Sequence, residues 1–104
     1  MTTINSYIST PGEILKEEFL EPLGISQYRF AKAIGKSQSA ISEIVKSQRA
    51  ITPEMAILFA KALGTTPDFW LRLEASYQLK TCNMNDPRFE KVPLLVNIKD
   101  GFVA

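Results

Sequence analysis

Gly35 stands between two short runs that both repeat their apolar residues with the period of a helix. Upstream, in QYRFAKAI, Phe30, Ala31 and Ile34 fall at i, i+1 and i+4. Downstream, in QSAISEIV, Ile41, Ile44 and Val45 fall at i, i+3 and i+4. Each pattern lays one apolar stripe along a short helix. Glycine supplies the left-handed backbone that ends the first helix and turns the chain sharply. Ser37 is then placed to accept a free backbone N–H and cap the second helix. Ala31 is small where the two helices must approach. The stretch Gln27–Lys46 therefore predicts a helix-turn-helix, around which the rest of the chain is organised.

The face opposite the apolar stripe of the second helix offers Gln38, Ser39, Ser42 and Glu43. These side chains are short or hydrogen-bonding rather than merely solvating. The spacing resembles the helix-turn-helix of phage-repressor-type, Xre-like DNA-binding domains. A helix used in that way enters the major groove with its N-terminal residues at the base edges. Gln38 is the leading base reader, since its carboxamide pairs bidentately with adenine. Ser39 and Ser42 suit either base type or a thymine methyl. Glu43 fits cytosine N4 and equally fits an ion pair with a neighbouring cation. Gln27 and Ser37 lie at helix N-termini, where phosphate is favoured. Lys36, Lys46, Gln48 and Arg49 flank the helix as further phosphate contacts. Arg29 and Lys32 read equally well as solvated charges.

The net charge of +1 is small for a chain expected to meet DNA, but the charge is unevenly spread. Residues 26–52 carry Arg29, Lys32, Lys36, Lys46 and Arg49 against Glu43 alone, a net of +4. Residues 1–25 carry Lys16 against Glu13, Glu17, Glu18 and Glu21, a net of −3. Binding a polyanion needs a local excess of this kind rather than a basic whole protein. The chain has no histidine, so the usual acid–base catalyst is missing. Its one cysteine, Cys82, cannot close an internal disulfide or build a multi-cysteine zinc site. There is no phosphate-cradling glycine loop and no clustered set of metal ligands. The expectation is a protein that is not an enzyme and holds no cofactor or metal. No apolar run is long enough to span a membrane, and no basic region precedes an apolar core at the N-terminus. A cytoplasmic location is expected by default.

Along the chain, residues 1–9 show no period and are expected to form an irregular arm. Thr10-Pro11-Gly12-Glu13 opens a helix with a cap, a proline at the first position and a capping box. Its buried stripe is predicted as Ile14, Leu15, Phe19 and Leu20, and Glu21-Pro22-Leu23-Gly24 ends it. Ser26 caps the helix that follows. Thr52-Pro53 and Thr66-Pro67 repeat the cap-then-proline signal. The fourth helix is predicted to bury Met55, Leu58, Phe59, Ala62 and Leu63, with Gly64 as its end. The fifth, FWLRLEASYQL, is apolar on more than one face, which calls for two partners. One is the body of the domain. The other is expected to be a second copy, through Trp70, Leu71 and Tyr77, or else the chain's own tail. Residues 80–104 hold a turn-rich linker, then the β-prone Val92–Ile98, whose Pro93 argues against a central strand.

The flanks extend the resemblance. Pro11-Gly12-Glu13-Ile14-Leu15, Glu21-Pro22-Leu23-Gly24, Arg49-Ala50-Ile51-Thr52 and Phe69-Trp70-Leu71 are similar to the HigA-type antitoxins of bacterial toxin–antitoxin modules. The likeness runs from Pro11 to about Leu79. It implies an all-α, five-helix lambda-repressor-like domain over residues 10–79. Outside it, residues 1–9 read as an N-terminal arm and residues 80–104, which the likeness does not reach, as a C-terminal extension of extended or β character. The likeness further implies a homodimer that binds operator DNA, represses its own operon and neutralises a HigB/RelE-like mRNA-cleaving toxin. The alternative is a phage-type helix-turn-helix repressor with no toxin partner. Two candidate toxin-binding surfaces follow: the arm with the helix around Ile14–Leu20, and the tail Val92–Val103.

Overall fold

The computed structural model describes residues 9–96. The expected arm, apart from Ser9, and the stretch from Asn97 onward lie outside the described residues. The first helix, α1, is three consecutive segments: α-helical Pro11–Ile14, π-helical Leu15–Leu20 and α-helical Glu21–Leu23. Then come α2 (Gln27–Ile34), α3 (Gln38–Val45), α4 (Pro53–Leu63), α5 (Pro67–Thr81) and the short α6 (Pro87–Glu90). No strand occurs among the described residues. Residues 92–95 carry no regular secondary structure, so the β-prone reading finds no pairing there.

Helix starts follow the side chains that cap them. Thr10 Oγ1 accepts from Glu13 N–H while Thr10 N–H donates to Glu13 Oε1, which completes the capping box. Ser26, Ser37, Thr52 and Thr66 each accept from the backbone N–H three residues on. Between α2 and α3, Gly35 has φ of 74° and donates back to the last turn of α2. Lys36 N–H also reaches the Ala31 carbonyl, at 2.9 Å. This is the left-handed stop expected of a glycine at a helix C-terminus.

The π-helical segment corrects the simple period assumed for α1. Its hydrogen bonds span five residues, as in Glu21 N–H to Lys16 C=O. Residues five apart are thereby brought onto one face, and Leu15 and Leu20 are both fully buried. Ile14 and Phe19 are only partly buried against the core. Pro22 follows two residues after the π-helical segment. It has no N–H to return to the preceding turn and its ring crowds the carbonyl there, a strain that a widened turn accommodates.

The core is built on aromatic contacts. Phe30 of α2 meets Phe59 of α4 at 5.3 Å between ring centroids, and Phe59 meets Trp70 of α5 edge-on at 5.3 Å. Trp70 also meets Phe19 and Phe69, at 5.2 and 5.0 Å. Full burial of each such side chain is worth about 1.5–3 kcal/mol, with about 0.5–1.5 kcal/mol more for a well-placed ring pair. The Trp70 indole N–H donates to Thr65 Oγ1 at 2.7 Å, so its burial leaves no orphan donor.

Two predicted faces are corrected by this packing. Trp70 has no exposed surface and belongs to the chain's own core, so it is not available to a second copy. On α4 the buried side chains are Met55, Ala56, Phe59 and Ala60; Leu58 and Leu63 are partly buried, and Ala62 is exposed. Burial of the small Ala56 and Ala60, on a helix that packs against α5, turns the buried face away from the stripe that hydrophobicity alone suggests. Beyond α5, Asp86 caps α6 and also receives the Arg88 side chain. Those hydrogen bonds hold the half-buried Asp86 carboxyl below its ordinary value. Cys82 is free and exposed.

Gly12 is where α1 crosses the end of α3. A Cβ placed there would meet the Ile44 carbonyl oxygen at 1.9 Å and Val45 Cα at 2.9 Å, both backbone atoms that cannot swing aside. Gly12→Ala is therefore expected to lower unfolding stability by about 1–3 kcal/mol through overpacking. Urea denaturation of the two proteins measures this; an unchanged midpoint would show that the crossing relaxes freely.

Candidate nucleic-acid interface

The candidate interface is the outer face of α3 with the turn before it and the loop after it. Ala40, Ile41 and Ile44 point into the core. The opposite face carries Gln38 and Ser39, which are exposed, and Ser42 and Glu43, which are half-buried. The four side chains predicted to read bases are thus brought together on one helix face. That follows from the 3.6-residue period once the apolar side is anchored.

The six predicted phosphate contacts divide by element. Gln27 opens α2 and is half-buried, and Ser37 caps α3. Ser37 Oγ accepts from Ala40 N–H at 3.1 Å, which leaves its own proton available to an anion. Lys36 lies in the turn, and Lys46, Gln48 and Arg49 lie in the loop between α3 and α4, all three exposed. Ser47 in that loop holds a φ of 64°, the only left-handed residue other than glycine among those described.

Two of these cations are already engaged. Arg49 directs Nε and Nη2 onto Glu43 Oε1, at 2.9 and 2.7 Å. The ion pair, one of the two roles expected of Glu43, is formed. Lys36 Nζ meets Glu54 Oε2 at 3.1 Å, from the turn to the first turn of α4. Arg29, Lys32 and Lys46 form no ion pair among the described residues. Of the remaining candidates for a dimer surface, Leu71 is partly buried against the core. Tyr77 lines a cavity of about 200 Å³ shared with Pro11, Gly12 and Ile51.

A helix-turn-helix family model matches residues 16–70, just over half of the chain. Antitoxin HigA-1 of Vibrio cholerae is 36% identical over 93 residues, covering 86% of this chain and 87% of that protein. The chain belongs to the HigA-type helix-turn-helix family. The solved Pseudomonas aeruginosa antitoxin HigA, bound to the higBA promoter, superposes with a TM-score of 0.78 at 32% identity, over 86% of this chain and 99% of that one. Virulence-associated protein I of Dichelobacter nodosus is 44% identical over 70 residues, which span 67% of this chain and 65% of that protein. No helix of the HigA-type chain, among the described residues, is long and apolar enough to cross a membrane. Nor do the described residues include three grouped side chains suited to a metal ion.

One residue that supports this interface carried no signal in the sequence. Glu74 of α5 accepts the backbone N–H of the buried Ile51 at 2.9 Å, and its other oxygen accepts from Gln78. The carboxylate pins the end of the loop that carries Lys46, Gln48 and Arg49 in this HigA-type chain. Its partner lies 23 residues away, so no local motif announces it. Glu74→Leu leaves the Ile51 N–H without an acceptor and is expected to cost about 1–3 kcal/mol. Glu74→Gln keeps an acceptor and should lose much less. Chemical denaturation compares the two; equal losses would mean the hydrogen bond is not what anchors the loop.

Proposed function

We propose that this protein is an antitoxin and autorepressor that binds operator DNA as a homodimer and neutralises a HigB/RelE-like, mRNA-cleaving toxin. The observation that carries the proposal is the polar outer face of α3, backed by a buried apolar face. It is presented on a fold similar to that of a HigA bound to its promoter. In a dimer, two α3 helices enter successive major grooves, with half-site centres about 34 Å apart. Gln38, Ser39 and Ser42 face the bases. Gln27, Ser37, Lys46 and Gln48 face the phosphates, joined by Lys36 and Arg49 when their carboxylates release them. Residues 10–79 form the DNA-binding unit, and Leu71 and Tyr77 are the remaining contributors to the dimer surface. The protein acts in the cytoplasm by binding, without catalysis.

Co-expression with the adjacent reading frame tests the whole proposal. A stable complex should purify and still retard a fragment of the chain's own promoter. Retardation by a chain that captures no neighbouring product would instead identify a repressor without a toxin. Failure to retard the fragment would refute DNA binding. Within the interface, Gln38→Ala should cost about 1–3 kcal/mol on the operator and relax one base position. Binding measured across a set of single-base operator variants checks this, and uniform weakening at every sequence would remove Gln38 from base reading.

A further inference from the structure

Both ion pairs at the interface tie up a cation that DNA would otherwise use. Lys36 precedes α3 and Arg49 follows it, so the pairs guard the two ends of the recognition helix. Glu43 is on α3 itself, whereas Glu54 belongs to α4, and its side chain is 72% exposed. The +4 excess of residues 26–52 already counts Glu43 against Arg49; Glu54 lies just outside that window and offsets Lys36 as well.

Resting on the DNA-binding reading above, we propose that Glu43 and Glu54 restrain binding to the DNA backbone at large. They occupy Arg49 and Lys36 with carboxylates that a correctly registered operator displaces and arbitrary DNA does not. The physical basis is the difference between the two kinds of complex. Binding without sequence preference is almost wholly electrostatic and scales with the number of phosphates neutralised. A cation already held by a carboxylate releases no counterion, and the carboxylate itself repels the backbone. In the operator complex, base contacts fix the register, and phosphates at set positions take over the cations. Exposed ion pairs are weak enough to be exchanged in this way. They are close enough here, at 2.7 and 3.1 Å, to compete when the DNA is loosely held.

Glu54 gives the cleaner test because it lies off the recognition helix. Binding is measured on the chain's own promoter fragment and on a duplex of unrelated sequence, across a range of salt concentrations. Wild type, Glu54→Gln, Lys36→Gln and the double variant are compared. Glu54→Gln should tighten binding to the unrelated duplex by about two- to five-fold. Its plot of log affinity against log salt should steepen by up to about 0.9 for each Lys36 freed. The promoter should gain at least as much, because the wild-type operator complex bears the cost of breaking the pair. In the Lys36→Gln background, Glu54→Gln should have no effect. A gain that survives there would make Glu54 a general repulsive charge and overturn the proposal, as would weaker or unchanged binding to unrelated DNA. If wild type binds neither duplex, the DNA-binding reading itself fails, whereas wild-type retardation with an unresponsive Glu54 variant sinks only this inference.

Discussion

The backbone of α1 at Gly12 lies against the carbonyl of Ile44, and that crossing decides where the recognition helix stands. A side chain on α1 at this point would hold the two helices apart. With glycine, α1 closes over the C-terminal end of α3 while Leu15 and Leu20 fill the space beneath. The widened turn in α1 serves the same end, because it places both leucines on the side that faces the core. From the other direction, Phe30, Phe59 and Trp70 form the aromatic line against which α2, α4 and α5 are set. Held by these contacts, α3 has little freedom to rotate, so Gln38 and Ser39 stay directed outward.

The same arrangement governs the electrostatics. The local positive excess lies in and around the helix-turn-helix. Yet that excess is smaller in the folded protein than a count of basic residues suggests. Folding brings Glu54 to Lys36 across 18 residues of sequence and folds the loop so that Arg49 returns to Glu43. An interface for a polyanion is thus moderated from within, by carboxylates supplied from the recognition helix and the helix after it.

Local chemistry was legible wherever cause and effect lie within a few residues. Ser26 and Ser37 cap the helices they precede, and Gly35 stops α2 at the predicted residue, because each depends only on neighbouring backbone. Prolines at Pro11, Pro53 and Pro67 mark first helical positions for the same reason. The faces of longer helices were less legible. Hydropathy favoured Ala62, but Ala56 and Ala60 are the alanines that α4 buries. An even period assumed for α1 missed the extra residue that its π-helical turn takes up.

By itself the sequence determined the helix-turn-helix, the caps and stops of its helices, and the set of polar side chains on the outer face of α3. All of these follow from short-range periodicity and backbone hydrogen bonding. Only the tertiary structure decided that Trp70 belongs inside, that position 12 must be glycine, that Glu74 holds Ile51, and that Glu43 and Glu54 answer Arg49 and Lys36. Most of those facts depend on which residues meet across long stretches of chain. Contacts of that kind are set by the packing of whole helices, which no local pattern encodes.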